Sequence, residues 1–327
     1  MRKALILALI CMLILVSCAT GGLGKYPESK YVRATGYGAT MDEAELNAKT
    51  ALASLFGMSV TRDTTRALME TNTSNSYGEE YSAYGEYFTN ISSVIVKADN
   101  LYGVQVVDRV KGKDECAVTV VMERKTTSEY YLAQIESALE SIMALESLIP
   151  TEIGSMKALE DAVLLANLGE ECNTQTVMYN YLSGEEHDFY SLSRAYELIV
   201  QSRRAILLDV TVAGDDSGSV KSAISKVFAD AGIPIVKGDQ KPTAIAEVTI
   251  VWQESKGSGV ASSFVFEEYN ADISIMDMAG SQVVFVTSLN GKEGHQTYDG
   301  AKTRATKGLV SEIETSIRPE FSKRFSL

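Results

Sequence analysis

The sequence predicts an α+β protein: two small domains, each an antiparallel sheet with packed helices, joined by a helical segment and preceded by a lipoprotein signal peptide. Apolar residues alternate with a period of two in the first and last parts of the chain, as in half-buried strands. Each of these parts also contains a helix with an alanine-rich face. The middle of the chain shows helical periodicity alone.

The predicted boundaries follow these changes of pattern. The 327 residues leave room for two domains, each with its own core. We assign residues 1–17 to the signal peptide, 18–27 to a flexible tether, 28–125 to the first domain, 126–204 to the helical segment and 205–327 to the second domain.

The amino terminus has the layout of a secretory signal. Arg2 and Lys3 precede an apolar run from Ala4 to Val16. That run is shorter than the roughly 20 apolar residues that a membrane-spanning helix needs. A cleaved signal is therefore favoured over an uncleaved transmembrane anchor.

The end of the signal resembles the lipobox of bacterial lipoproteins, with Leu15, Val16 and Ser17 directly before Cys18. The resemblance implies cleavage before Cys18, a diacylglyceryl thioether on its sulfur and an acylated amine. Several acyl chains give a stable membrane anchor. Ala19 follows the cysteine, and by the enteric sorting rule this implies the outer membrane.

A strand, a glycine turn and an amphipathic helix organise the first domain. Residues 31–38 alternate as in a strand, and Asp42 and Glu43 suit the positive end of the helix that follows. Alanines on the apolar face of that helix predict close packing on the sheet. The face comprises Ala44, Ala48, Ala51, Leu52, Leu55 and Phe56.

The remainder of the first domain is predicted to be mainly β. Ser59 to Leu68 reads as a long strand at a sheet edge that could pair with a partner strand, although its charged residues fit protection against pairing equally well. Glu70 to Glu80 is a polar excursion. Tyr84 to Val96 is ambiguous between helix and strand. Leu101 to Val110 and Cys116 to Glu123 form a predicted hairpin.

Three helical stripes follow, of which Pro150 is predicted to end the first and Gly169 the second. The stripes consist of Leu132, Ile135, Leu139, Ile142 and Leu145; of Met156, Leu159, Val163 and Ala166; and of Phe189, Leu192, Tyr196 and Ile199.

The second domain is predicted to begin with a strand and a helix and to end with a helix. The predicted elements are a strand over Ala205 to Val212, a helix ending near Gly232, strands over Ala244 to Gln253, Phe264 to Asp277 and Gln282 to Leu289, and a helix over Tyr298 to Arg318, with Ala301, Ala305, Leu309 and Ile313 facing inward.

Charge and cysteine content limit the partners. The net charge of −13 argues against nucleic acid as a partner and against electrostatic adhesion to anionic headgroups. The lipid is therefore the expected membrane contact. An envelope compartment would permit a disulfide between Cys116 and Cys172. The favoured alternative is one thiol in a strand and one in a loop, not in contact.

Candidate chemical motifs each have a structural interpretation that is favoured. Gly36-Tyr37-Gly38 lacks the remaining glycine of a dinucleotide-binding turn, so it predicts close packing of strand and helix. Glu185-Glu186-His187-Asp188 could bind a metal weakly, but a solvated helix start is favoured. Asp215-Asp216-Ser217-Gly218 lacks the further ligands of a calcium loop and is interpreted as a helix cap.

Two single residues and the missing signatures complete the search. His295 lies in a glycine-rich turn without an evident nucleophile, and Trp252 is assigned to packing. No nucleophile-elbow motif or Cys/His signature is present. We predict no catalytic residues, no metal site and no cofactor, and hence a protein that is not an enzyme.

The lipobox, the strand ending in Gly36-Tyr37-Gly38 and the helix with Ala44 and Ala48 resemble the Lpp-twenty lipoprotein family. The same domain is similar to the first domain of the flagellar assembly T-protein. Residues 205–318 are similar in element order to that protein's next domain and to the amino-terminal domain of TolB. The helical insert departs from the flagellar protein. The resemblance implies an envelope lipoprotein, often part of an assembly, with no established catalytic residues.

The expected function is that of a non-catalytic envelope lipoprotein, anchored in the outer membrane, that serves in structure or assembly. Its expected partners are the membrane, through the lipid, and envelope proteins or a second copy. The alternative is a surface lipoprotein that binds a ligand or a glycan.

Overall fold

The computed structural model describes residues 23–72, 101–258, 261 and 263–325. Its elements are, in order, β1 (Tyr31–Gly38), α1 (Met41–Asn72), β2 (Val104–Lys111), β3 (Cys116–Glu123), α2 (Arg124–Leu148), α3 (Met156–Ser183), α4 (Ser193–Ala205), β4 (Leu208–Ala213), α5 (Ser219–Asp230), β5 (Ala244–Lys256), β6 (Val265–Asp277), β7 (Gln282–His295), α6 (Tyr298–Glu312) and α7 (Arg318–Phe325). A π-helical turn, Ile313–Ile317, connects α6 to α7. The predicted α+β class is confirmed.

The described chain divides into two units. The first contains the residues up to Leu139 together with Glu170–Tyr190, and the second contains Glu140–Gly169 together with the residues from Ser191 onward. The helical segment predicted over 126–204 is thus shared between the units. The domain boundaries at 125 and 204 stay predictions.

The first unit is built on a three-stranded antiparallel sheet in the order β1-β3-β2, with α1 on one face. The predicted hairpin of β2 and β3 is confirmed. Four residues of the predicted apolar stripe of α1 are buried against the sheet, namely Ala44, Ala48, Leu52 and Phe56. Ala51 and Leu55 are half-buried.

Gly36 and Gly38 allow α1 to lie directly on β1. A Cβ atom on Gly36 would overlap backbone atoms of Ala44 and Ala48, and one on Gly38 would lie 2.7 Å from the backbone nitrogen of Ala44. Only glycine tolerates such a close backbone approach. The interpretation of the two glycines as a packing motif is therefore confirmed.

The strand predicted over Ser59 to Leu68 is wrong, because α1 continues through this stretch to Asn72. Its β-branched threonines and valine lower helix propensity by only a few tenths of a kcal/mol each. That cost does not end a helix whose first turns are held by packing. The predicted edge-strand interface is lost with the strand. Residues 73–80 of the predicted polar excursion and Tyr84 to Val96 lie outside the described residues.

Arg124 links three parts of the first unit. Its guanidinium donates from Nε to the Glu28 carbonyl (3.1 Å) and from Nη1 to the carbonyls of Tyr181 (3.0 Å) and Leu182 (3.4 Å). The last two belong to the final turn of α3, where carbonyl groups lack helical partners. Arg124 therefore satisfies that helix end and suits its negative dipole.

The helix predicted to stop at Gly169 runs on to Ser183 as α3. A glycine inside a helix costs only about 1 kcal/mol relative to alanine, which the buried side chains around it offset. Leu182 is in the last turn of α3, and Phe189, the first residue of the third predicted stripe, precedes α4. Ala205 ends α4, so the strand predicted from Ala205 starts only at Leu208.

The second unit contains a four-stranded sheet in the order β4-β5-β6-β7. β4 and β5 are parallel, and α5 forms the crossover between them, whereas the remaining neighbours are antiparallel. The inner face of the sheet carries small and branched residues, among them Ala246, Val248, Ala271 and Ile273.

Helices cover that inner face. α6 packs on β6 and β7 through Ala301, Ala305 and Leu309, all buried as predicted. Phe321 of α7 contacts the rings of Phe228 and Phe285, at centroid distances of 4.7 and 5.9 Å. The predicted closing helix thus continues beyond Arg318, after the π turn.

Asp277, at the end of β6, holds the start of α3. Its carboxylate accepts hydrogen bonds from the backbone nitrogens of Lys157 (3.2 Å) and Ala279 (2.9 Å), and its side chain is buried. Ser155 accepts from the Ala158 nitrogen at 3.0 Å. Both groups satisfy amides in the first turn of α3. In the described part of the chain, no helix is both long and apolar enough to cross a bilayer.

Candidate functional site

One end of the second unit's sheet is polar on the face that the helices cover. The alternate positions of β5 are apolar and buried from Ala244 to Ile250, and then continue as Trp252, which is half-buried, and Glu254, which is exposed. The same change occurs on β6 at Tyr269 and Glu267 and on β7 at Gly291 and Glu293. We call this region the polar end of the sheet.

Three glutamates form a row across the polar end. Glu254 of β5 pairs in register with Glu267 of β6, which pairs with Glu293 of β7. Neighbouring strands lie only about 4.8 Å apart, so Glu267 has a glutamate as its direct neighbour on both adjoining strands. Glu267 is the central one and is 2% exposed. We call these residues the glutamate row.

Lys302 of α6 reaches the centre of the glutamate row. Its Nζ lies 3.8 Å from Glu267 Oε1 and 4.1 Å from the centroid of the Trp252 ring. The ammonium therefore has both an ion-pair partner and a cation–π partner. One positive charge placed in this way only partly compensates three carboxylates.

Aromatic rings close the inner side of the row. Trp252 donates from Nε1 to the Gly214 carbonyl at 2.7 Å, which ties β5 to the end of β4. The Tyr269 ring lies 5.9 Å from the Trp252 ring and donates its hydroxyl proton to Glu312 Oε2 at 2.8 Å. Gly291 leaves the space that the Tyr269 ring occupies. Trp252 thus packs, as predicted.

Burial is the main influence on two titratable groups at the polar end. It raises the pKa of Glu267; Lys302 opposes this shift and the charge of Glu254 adds to it. Burial also raises the pKa of Tyr269, helped by its hydrogen bond to Glu312. Both groups are thereby biased towards their protonated forms. The chemistry that this arrangement offers is proton uptake and release at Glu267.

The predicted lipid site is not part of the described structure. Leu15, Val16, Ser17 and Cys18 lie outside the described residues. The lipobox therefore stays a prediction from sequence. Within the described ranges, no three His, Cys, Asp or Glu side chains are grouped so that they could hold a metal ion.

The interpretation of Glu185–Asp188 as a helix start is wrong, because α4 begins only at Ser193. Residues 185–190 instead form a segment, here called the strap, that lies along α3. Asn180 accepts from the His187 nitrogen (2.9 Å) and donates to its carbonyl (3.1 Å). Asn173 lies two turns earlier on α3. Its side chain accepts from the Tyr190 nitrogen (2.8 Å) and donates to the Tyr190 carbonyl (3.0 Å).

The two asparagine side chains form the hydrogen bonds that a neighbouring strand would otherwise form with the strap, because each side-chain amide has one group that donates to a backbone carbonyl and one that accepts from a backbone N–H. Tyr179 also donates to Glu185 Oε2 at 2.6 Å, and this hydrogen bond is the main cause of the raised pKa of Tyr179. The charged cluster is thus held by α3 as part of the fold.

Asp215 caps α5, as predicted for its loop. Its carboxylate accepts from the Lys221 nitrogen at 2.9 Å, although Gly218 occupies the cap position itself. His295 ends β7 rather than lying in a turn, because β7 extends past Leu289. Thr297 is close to it, with Oγ1 3.2 Å from His295 Nδ1, but that oxygen also accepts from the Gly300 nitrogen as the cap of α6.

The two described cysteines are free and buried. Cys116 lies in β3 as predicted, whereas Cys172 lies in α3 rather than in a loop. Burial is the main cause of the raised pKa of Cys172. The structure therefore agrees with the favoured alternative of two unpaired thiols.

Sequence reasoning missed the glutamate row because its members are far apart in the chain. Glu254, Glu267 and Glu293 each continue an inward-facing alternation on their own strand. A charged residue at an inward position is a signal that the sequence does contain. What it lacks is the register that sets the three side by side.

No family model matches the chain, and no curated protein sequence matches it. Several solved structures are similar. The alignment with the secreted protein HP1454 from Helicobacter pylori covers 88% of this chain and 97% of the HP1454 chain, with 9% sequence identity and a TM-score of 0.44. The alignment with a minor lipoprotein from Acinetobacter baumannii covers 37% of this chain and 91% of that lipoprotein, with 11% sequence identity and a TM-score of 0.27. The alignment with lipoprotein GNA1162 from Neisseria meningitidis covers 34% of this chain and 99% of GNA1162, with 11% sequence identity and a TM-score of 0.24.

Proposed function

We propose that this protein is a non-catalytic lipoprotein of the bacterial cell envelope, anchored in the outer membrane by acylated Cys18, that binds other envelope proteins or a second copy of itself. The observation that carries the proposal is the lipobox from Leu15 to Cys18, which follows a short apolar signal. A glycine-containing tether then separates the anchor from the first described element.

The sheet edges support an interaction role. β7 spans 14 residues and is the last strand of its sheet. Among the described residues, no strand pairs with its outer edge. Long edge strands offer backbone groups to a partner chain and are a common basis of β-strand addition. β7 therefore takes the place of the stretch from Ser59 to Leu68 as the proposed interface.

The proposal is tested by comparing the wild type with Cys18→Ala in the native bacterium. Metabolic lipid labelling and membrane fractionation should show a labelled, sedimenting wild type and an unlabelled variant that is released. The attachment point precedes every described helix and strand, so the variant should unfold at the same temperature. A variant that still carries label and still sediments would disprove the anchor.

Crosslinking followed by purification from the same membranes tests the partner. We expect the wild type to retain envelope proteins or a second copy, and Cys18→Ala to lose those that require the membrane surface. Recovery of nothing above background, with the anchor intact, would contradict the assembly role.

A ligand-binding or glycan-binding role is the second candidate, and one feature favours it. Tyr102 and Tyr130 stack with ring centroids 3.7 Å apart and planes inclined by 14°. They remain 47% and 36% exposed. Stacked rings at a surface offer a flat apolar face with polar hydroxyl groups. Titration of envelope glycans against the wild type and Tyr102→Ala would distinguish this role from assembly.

A further inference from the structure

Glu267 is a buried carboxylate with little compensation. Its side chain is 3% exposed and forms an ion pair with Lys302. Its nearest cation, Lys302 Nζ, lies at 3.8 Å, beyond hydrogen-bond distance, and is itself 35% exposed. A buried charge normally has both an ion-pair partner and hydrogen bonds, because desolvation is otherwise costly.

The groups that face Glu267 come from three neighbouring elements. β5 contributes Glu254 in the same row and Lys256 in the next inward row. β7 contributes Glu293 in the same row and His295 in the next. α6 contributes Lys302, together with Arg304, which donates to the Gly294 carbonyl at 3.1 Å. One row deeper, Tyr269 and Glu312 are hydrogen-bonded to each other.

Glu254 and Glu293 are the cross-strand neighbours of Glu267, and among the cations of the described residues only Lys302 lies within 4 Å of it. We propose that the glutamate row is a proton-sensitive lock between the sheet and α6. Proton uptake at Glu267 removes a buried charge and its repulsion from Glu254, and these gains outweigh the loss of the ion pair with Lys302, so that the packing of α6 is strengthened. Loss of the proton restores the buried charge and the repulsion, and it weakens the packing of α6.

The direction of the effect follows from linkage. Burial and Glu254 together raise the pKa of Glu267 in the folded state above its unfolded value, despite Lys302. A group with a raised folded pKa contributes stability at low pH that is lost as the pH rises through that value. The second unit should therefore be more stable in mild acid than in mild alkali, through Glu267.

Glu267→Gln tests the lock because glutamine has nearly the same shape and no charge. Urea unfolding of the chain beginning at Ala19 is measured between pH 4 and pH 8. We expect the variant to have the higher midpoint at pH 8 and the difference to shrink as the pH falls. Glu247→Gln, on the neighbouring strand β5 and on the exposed opposite face of the sheet, is the matched control and should show no such trend.

Trp252 supplies a local signal, since it is the only tryptophan in the chain and carries Lys302 over its ring. Its fluorescence should titrate with pH in the wild type and in Glu247→Gln, but not in Glu267→Gln. Lys302→Met should move that transition to higher pH, because it removes the nearby cation. Glu254→Gln should move it to lower pH, because it removes a like charge.

These opposite shifts separate proton coupling from a purely structural role, which would not move the transition. The lock is refuted if the fluorescence of Trp252 does not titrate between pH 4 and pH 8. It is also refuted if Glu267→Gln lowers the urea midpoint equally at every pH, or if Lys302→Met and Glu254→Gln shift the transition in the same direction. All of these measurements are independent of the lipid anchor.

Discussion

At the scale of single residues, the absence of a side chain at Gly36 decides how α1 lies on the first sheet. The backbone of Ala44 and Ala48 occupies the space that a Cβ atom at position 36 would need. Backbone atoms at such a contact cannot move aside by a rotamer change. The strand and the helix can therefore separate only by giving up buried contacts along the whole of their interface.

Gly36→Ala should destabilise the first unit by about 3 kcal/mol, the upper end of the range for overpacked cores. Gly24→Ala is the matched control, because nothing lies within 4 Å of a Cβ atom there, and its effect should stay within about 0.5 kcal/mol. Urea unfolding of the chain beginning at Ala19, followed by circular dichroism, gives both values. Equal midpoints for the two variants would mean that α1 does not lie directly on β1.

At the scale of elements, side-chain amides decide where the strap lies. Asn173 and Asn180 are seven residues apart, so they project from the same face of α3 two turns apart. Each satisfies one N–H and one C=O of an extended segment that pairs with no strand. The strap is therefore an ordered part of the first unit despite its charged sequence.

Asn180→Ala should release the centre of the strap, because it removes both hydrogen bonds to His187. Each lost bond of this kind is worth about 0.5–1.5 kcal/mol. Hydrogen exchange should become faster at the His187 amide, while the amides of β3 keep their protection. Gln201→Ala is the control, since the Gln201 amide bonds only Glu197 on its own helix. Unchanged exchange at His187 in Asn180→Ala would show that the asparagine does not hold the strap.

At the scale of the whole molecule, non-covalent packing accounts for the two described units, since both described cysteines are free thiols. Cys116 is buried in β3 and Cys172 in α3. Their burial keeps them from reagents as long as the first unit is folded. An oxidising compartment alone does not pair thiols whose geometry is unsuitable.

The chain beginning at Ala19 should therefore react with two equivalents of an alkylating reagent in denaturant without any reductant. In buffer alone it should react far more slowly, because both thiols are buried. Its thermal unfolding should not change when a reductant is added. Intact-mass measurement counts the labels, and a chain that takes up none until it is reduced would contain the disulfide.

The elements that sequence predicted correctly are those with a strong local period. Residues 31–56, the hairpin of β2 and β3, and the closing helix all show one continuous face of small or apolar side chains. The errors fall where a helix continues through residues of low helix propensity. Ser59 to Leu68 is rich in β-branched residues yet continues α1, and Gly169 lies inside α3. In both places the helix is already established, and residues of lower helix propensity do not end it.

The sequence by itself determined the α+β class, the inward faces of most helices and strands, and the lipobox pattern that underlies the proposed anchor. Only the tertiary structure decided the parallel pairing of β4 with β5, the seating of the strap on α3 and the row formed by Glu254, Glu267 and Glu293. The physical reason is the distance along the chain between the residues that interact. Periodicity records which side of an element is buried, through neighbours a few residues away. Register and docking depend on contacts between residues far apart in the chain, and a one-residue shift would turn every inward side chain outward.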